Sequence, residues 1–192
     1  MNVNNPYTPG RAGHSSLVYN NKMWVIGGVS ENGYLSDVWS SSDGVNWTQV
    51  TATAQFGSRS GHTSVVFNNK MWVIGGVNNN DVWSSSDGIN WNCATYQAEF
   101  SPRFSHSSLV FNNKMWVIGG FSSGQPLNDV WSSSDGTNWI QVTPNANFSP
   151  RFGHTVINYD GKMWLIGGQR TSQLGGFSDM WCSSDGIYWV QV

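Results

Sequence analysis

The segment Lys22-Met23-Trp24-Val25-Ile26-Gly27-Gly28 occurs four times in this chain. It returns unchanged as Lys70 to Gly76 and Lys114 to Gly120, and as Lys162 to Gly168 with Leu165 in place of the valine. Each copy is an apolar run too short for an ordinary helix, rich in strand formers and followed by a glycine pair that reads as a stop. Met23, Trp24, Val25 and Ile26 are all apolar, so the strand does not alternate and needs cover on both faces. Four such strands predict a stack of sheets, each held between its neighbours.

Outward from this strand, the repeat unit becomes visible. His14, His62, His106 and His154 are spaced by 48, 44 and 48 residues. Each stands three residues after an arginine and opens a short alternating strand such as Ser15 to Tyr19. Asn20-Asn21 or Asp160-Gly161 then suits a tight type I′ hairpin into the Met-Trp-Val-Ile strand. A loop of variable length leads to a third strand opening at Asp37-Val38-Trp39. Ser41-Ser42-Asp43-Gly44-Val45-Asn46 turns the chain into a fourth, Trp47 to Val50. The unit is a four-stranded antiparallel meander, and repeated meanders buried on both faces make propeller blades. The repeats run roughly over 7–55, 56–99, 100–147 and 148–192, within a single domain spanning 1–192.

The His strand, the strand ending in Gly-Gly, the Asp-Val-Trp strand and the late Trp together resemble the kelch repeat over nearly the whole chain. The fold expected is all-β: a kelch-type β-propeller of four four-stranded antiparallel blades. Kelch propellers usually have five to seven blades and close with strands from both termini, whereas this chain begins at a first strand and ends at a fourth. Three outcomes are open: a ring closed alone, a ring completed by a second chain, or a piece of a longer protein. An open arc would leave two apolar blade faces wet, which favours association. Ser41-x-Asp43-Gly44-x-x-Trp47 is also similar to the Asp-box turn of sialidases, one residue shorter. Asp43, Asp87, Asp135 and Asp185 are read as staples that cap local N–H groups above a packed tryptophan.

Charge excludes several functions. Only 10% of residues are charged and the net charge is −2, so no electrostatic footprint for nucleic acid or an anionic membrane exists. No apolar run is long enough to span a bilayer, and Met1 to Asn5 does not read as a signal peptide, which leaves the compartment unassigned. Sixteen of the twenty charged residues occupy equivalent repeat positions; Glu31, Glu99, Asp160 and Arg170 are the exceptions. Catalysis needs an asymmetric constellation of acid, base or nucleophile, and here nearly every titratable group is a frame element. The reading is therefore not an enzyme, with no cofactor and no metal. His14, His62, His106 and His154 are read as structural, each ring meeting the backbone of the next blade rather than a metal ion. Trp24, Trp72, Trp116 and Trp164 are read as core. Cys93 and Cys182 occupy different repeat positions and are read as unpaired.

The four copies differ most after Gly-Gly, at Val29 to Ser36, Val77 to Asn80, Phe121 to Asn128 and Gln169 to Ser178, and next in the linkers between repeats. Strand directions put all of these on one face of the disc. A repeated frame with one diversified rim points to a binding surface. Arg11, Arg59, Arg103 and Arg151 have two readings there: pairing with the Asp that opens the third strand, or a guanidinium ring that grips a partner's carboxylates. The second is implied by the resemblance to kelch domains that bind acidic peptides. Glu31, Tyr34, Tyr96, Phe121 and Arg170 would tune specificity. The expected function is a non-catalytic scaffold for protein partners or self-assembly. The alternative is a repeat lectin with glycan sites between blades.

Overall fold

The computed structural model describes residues 10–170 and 175–192, so Met1 to Asn5 and part of the segment from Gln169 to Ser178 lie outside the described residues. The first sheet contains β1 (Ser15–Tyr19), β2 (Lys22–Ser30), β3 (Gly33–Ser41) and β4 (Thr48–Thr51). The second contains β5 (Thr63–Phe67), β6 (Lys70–Gly76), β7 (Asn79–Ser85) and β8 (Asn92–Thr95). The third contains β9 (Ser107–Phe111), β10 (Lys114–Ser122), β11 (Gln125–Ser133) and β12 (Ile140–Thr143). The fourth contains β13 (Thr155–Tyr159), β14 (Lys162–Ile166), β15 (Met180–Ser183) and β16 (Val190–Gln191). Each sheet pairs its strands in chain order, antiparallel throughout, and no helix is present among the described residues. No helix is therefore long and apolar enough to cross a membrane.

The tight hairpins have the geometry their residues suggest. Asn20 and Asn21 adopt φ of 48° and 56°, and Asp160 and Gly161 adopt 48° and 66°. Both central positions are left-handed, as a type I′ turn requires. The glycine pair behaves differently from expectation. In the first three blades it forms a bulge rather than stopping the strand. In the first, pairing skips between Ile26 and Gly28 and resumes as Gly28↔Leu35, Val29↔Tyr34 and Ser30↔Gly33, whereas in the fourth β14 ends at Ile166, ahead of its glycine pair. The segments read as loops, Val29 to Ser36 and Phe121 to Asn128, are therefore mostly extended hairpin, because a bulge bends a ladder without ending it. Likewise the third strand begins at Gly33 rather than Asp37.

Blades stack through a repeated joint. One face of the first blade, with Tyr19, Trp24, Ile26 and Val38, packs on Met71, Val73, Trp83 and Trp91 of the second. The linker between them inserts Phe56, whose ring meets Trp91 edge-on at 5.0 Å. Phe100 and Phe148 repeat that contact with Trp139 at 5.2 Å and Trp189 at 5.3 Å. Each joint thus removes several aromatic and branched side chains from water, each worth about 1.5–3 kcal/mol. The inner strands β1, β5, β9 and β13 pack in sequence, but β13 does not pack on β1 in that way. Hub bonds tell the same story: Gly61 N donates to Gly13 O, Ser105 N to Gly61 O, and Gly153 N to Ser105 O, each at 2.8 Å. Among the described residues the ladder runs one way and stops, so they form an open arc rather than a closed ring.

Candidate functional site

Every blade carries the same interior clamp. Arg103 Nη1 donates to Asp129 Oδ1 at 2.7 Å and Nη2 to Asp129 Oδ2 at 2.8 Å, while Nη1 also donates to Gly119 O at 3.0 Å. Trp131 Nε1 donates to the same carboxylate at 2.7 Å. The arrangement recurs as Arg11–Asp37, Arg59–Asp81 and Arg151–Asp179, with ion-pair distances of 2.6–2.8 Å. Arg59 also donates to Phe56 O. Phe56, Phe100 and Phe148 lie under the guanidinium groups of Arg59, Arg103 and Arg151 at 5.3–5.7 Å. These three arginines are no more than 2% exposed. Of the two readings, the geometry shows the pairing with the Asp that opens the third strand: the guanidinium groups of Arg59, Arg103 and Arg151 are enclosed in their own blades, while Arg11 is half-buried. The physical reason is geometric: the planar fork matches one carboxylate in the same blade, and burial then favours completing that pair.

The histidines form the hub. The Cε1 edges of His62, His106 and His154 lie within about one contact distance of Gly27, Gly75 and Gly119, where an added Cβ would sit 3.0–3.2 Å away. Each ring therefore meets the backbone of the neighbouring blade that precedes it in the chain. The glycine exists so that the ring can approach the backbone. His14, His62 and His154, with Ser15, Thr63, Ser64, Ser107, Ser108 and Thr155, line a 290 Å³ hub cavity. Among the described residues, no three His, Cys, Asp or Glu side chains converge as metal ligands do.

Burial, and then the adjacent arginine, pushes His62 and His154 down to about 3, and His106 falls well below its usual value for the same reasons. The folded chain thus keeps these rings neutral where the unfolded chain protonates them, below pH 6.5. Stability is complete above pH 6.5 and falls as pH drops towards 3, with a slope of about 1.4 kcal/mol per pH unit for each ring. Urea midpoints measured at pH 7.5, 6.0 and 5.0 should decline in that order. A midpoint constant over that range would contradict neutral buried rings.

Asp43 accepts bonds from Val45 N at 2.9 Å, Asn46 N at 2.7 Å and Asn46 Nδ2 at 2.8 Å, and from the Ser41 hydroxyl at 3.0 Å. Asp87, Asp135 and Asp185 accept from the equivalent turn positions. These carboxylates close turns, with Trp91, Trp139 and Trp189 buried beneath their own. Trp24, Trp72 and Trp116 are likewise buried, and each donates its indole N–H to a backbone carbonyl. Rings committed this way cannot stack on sugars, and the lectin alternative has no support. Cys93 and Cys182 are both free.

The variable rim holds the remaining candidates. A 680 Å³ cleft opens there between the third and fourth blades, lined by Phe104, Phe121, Pro126, Pro150, Phe152 and Arg170. The bulged hairpin carries Phe121 outward, and two-way backbone bonds pair it with Phe104 on the linker, at 2.9 and 3.1 Å. Its ring lies 5.4 Å from Phe104 and 5.0 Å from Phe152. Arg170 is exposed at the cleft's edge and, among the described residues, forms no ion pair. Two expected residues, Phe121 and Arg170, therefore meet in one place. Glu31, Tyr34 and Tyr96 are exposed on the first two blades, outside the cleft, with Tyr96 edge-on to Trp83 at 5.9 Å. Phe104 and Phe152 were missed in the sequence. Their signal was available: the position after each repeat arginine is Ala12 and Ser60 in two copies but Phe104 and Phe152 in the others.

Comparison with known families agrees with this architecture. The KLHDC2/KLHL20/DRC7 Kelch-repeats domain model matches residues 46–185, and the DUF6242 beta propeller domain model matches residues 1–86. No curated protein matches the sequence.

Proposed function

The chain belongs to the kelch-repeat propeller family, and on that premise we propose that it is a protein-interaction scaffold taking an apolar, acidic peptide segment in the cleft between its third and fourth blades. Kelch-repeat propeller domains are generally protein-interaction scaffolds and typically non-catalytic. The observation that carries the finer reading is the meeting of Phe104, Phe121 and Phe152 with an exposed cation, Arg170, in an open groove. Aromatic rings supply apolar contact at low entropic cost, and a rim guanidinium selects a carboxylate. The four frame arginines are committed to their Asp clamps, so Arg170, exposed at the cleft, sets the sign of the charge that the cleft selects.

A random peptide library displayed on phage tests this. The wild-type chain should enrich peptides that combine large apolar and acidic residues. Phe121→Ala and Arg170→Glu should each reduce capture of the enriched peptide at least tenfold, a loss of about 1.4 kcal/mol or more. Ile89→Ser, on the opposite rim, should leave capture unchanged. Enrichment of peptides indifferent to both cleft substitutions would overturn the site.

A further inference from the structure

The two ends of the arc hold complementary halves of one joint. In each internal joint the tryptophan of one blade lies over a turn glycine of the next: Trp24 over Gly88, Trp72 over Gly136 and Trp116 over Gly186, so close that an added Cβ would fall 2.1–2.3 Å from the indole. Gly44 is the fourth such seat, and no tryptophan occupies it; its nearest side chain is Met23 of its own blade. Trp164 is the fourth knob, and no glycine seat lies beneath it among the described residues. The surrounding face of the fourth blade is bare as well. Ile157 is 46% exposed, Tyr159 68% and Met180 41%, where their counterparts in the second and third blades are at most 8%. On the first blade, Val18 is 68% exposed and Met23 38%, where Met71, Met115 and Met163 are 0%.

We propose that a second copy of this chain fills both halves: the fourth blade of each copy docks on the first blade of the other. The occupant follows from continuity with the three internal joints, whose knobs and seats these end faces reproduce. Trp164 would lie on Gly44 of the partner copy. Tyr159 adds a polar element. Its counterpart Tyr19 reaches across the first joint, its hydroxyl donating to Asn69 O at 2.8 Å and lying 3.3 Å from Ser86 O. Phe67 and Phe111 stand at this position in the middle blades and lack that hydroxyl. Across the intermolecular joint, the Tyr159 hydroxyl would meet the carbonyls of Asn21 and Ser42 of the partner copy. Two equivalent joints related by a twofold axis close the assembly and leave no end wet. This face is separate from the cleft, so either reading stands without the other.

Light scattering of the 192-residue chain tests the joint, with the expected mass that of two chains. Leu17 and Val66 pack on one cluster across the first joint, and Ile157 and Val18 hold those positions at the ends. Ile157→Lys alone and Val18→Glu alone should each give the mass of one chain, with unchanged circular dichroism. Mixing the two should restore the mass of two, because one of the paired joints then sets Lys against Glu while the other is native. A wild-type chain that stays single over the micromolar range overturns the proposal and leaves the end faces to a different protein or to further blades. So does a two-chain mass that survives either substitution, since the contact is then elsewhere. Peptide capture at the Phe121 cleft by Ile157→Lys would show that the functional site is intact regardless.

Discussion

Arg103→Ala is expected to lower stability by about 3 kcal/mol or more, read as a fall in the urea midpoint at constant slope. Removing the guanidinium leaves Asp129, whose side chain is only 12% exposed, without its counter-charge. It also leaves Gly119 O without the donated bond and uncovers the ring of Phe100. The effect is large because the remaining carboxylate stays buried, not because the pair itself is strong; a buried ion pair roughly offsets its own desolvation. Arg103→Lys should recover only part of the loss, since an ammonium cannot bond both carboxylate oxygens and the glycine carbonyl in one plane. A loss under about 1 kcal/mol for Arg103→Ala would mean that Asp129 finds water or another donor, and the clamp would lose its place in the fold's energetics.

Gly136→Ala should be comparably damaging, at about 2–4 kcal/mol. Two costs add. Gly136 has φ of +80°, where a Cβ is strained, and that Cβ would lie 2.1 Å from Cζ3 of Trp72. The indole cannot retreat, because Trp72 is 5% exposed and its N–H is bonded to Phe67 O at 2.9 Å. Gly44→Ala provides the comparison, with φ of +78° but only the flexible Met23 methyl at 3.0 Å. It should cost about 1–2 kcal/mol, from the backbone alone. Both are best measured in the Ile157→Lys background, so that association does not enter. Equal losses at the two positions would show that the tryptophan seat contributes nothing beyond turn geometry.

Much of this architecture was legible before any coordinates. The fourfold Met-Trp-Val-Ile run predicted strands buried on both faces; in the second and third blades Met71 to Ile74 and Met115 to Ile118 are at most 5% exposed, whereas Met23 in the first and Ile166 in the fourth are each 38% exposed. The Asp43 turn and the Asn20-Asn21 hairpin were readable because their bonds lie within a few residues of sequence. Legibility failed at the glycine pair. A Gly-Gly can end a strand or bulge it, and the choice depends on whether a partner strand resumes pairing beyond it, as Val29↔Tyr34 does. The direction in which the histidines pack was also hidden, since the meander alone does not say which neighbouring sheet a ring faces. So was the fate of the arginines. Spacing placed Arg and Asp on one rim, but not whether the fork would point inward or out.

The chain alone thus specified what repeats: blade composition, turn chemistry and the tryptophans, all written in local periodicity. Tertiary structure was needed for everything that depends on which blade neighbours which. It turned Arg59, Arg103 and Arg151 inward, gathered Phe104, Phe121, Phe152 and Arg170 from two repeats into one cleft, and left Trp164 and Gly44 as unmatched ends. The reason is that identical repeats carry identical local information, while the curvature of the stack and the sites between blades arise only from contacts far apart in sequence.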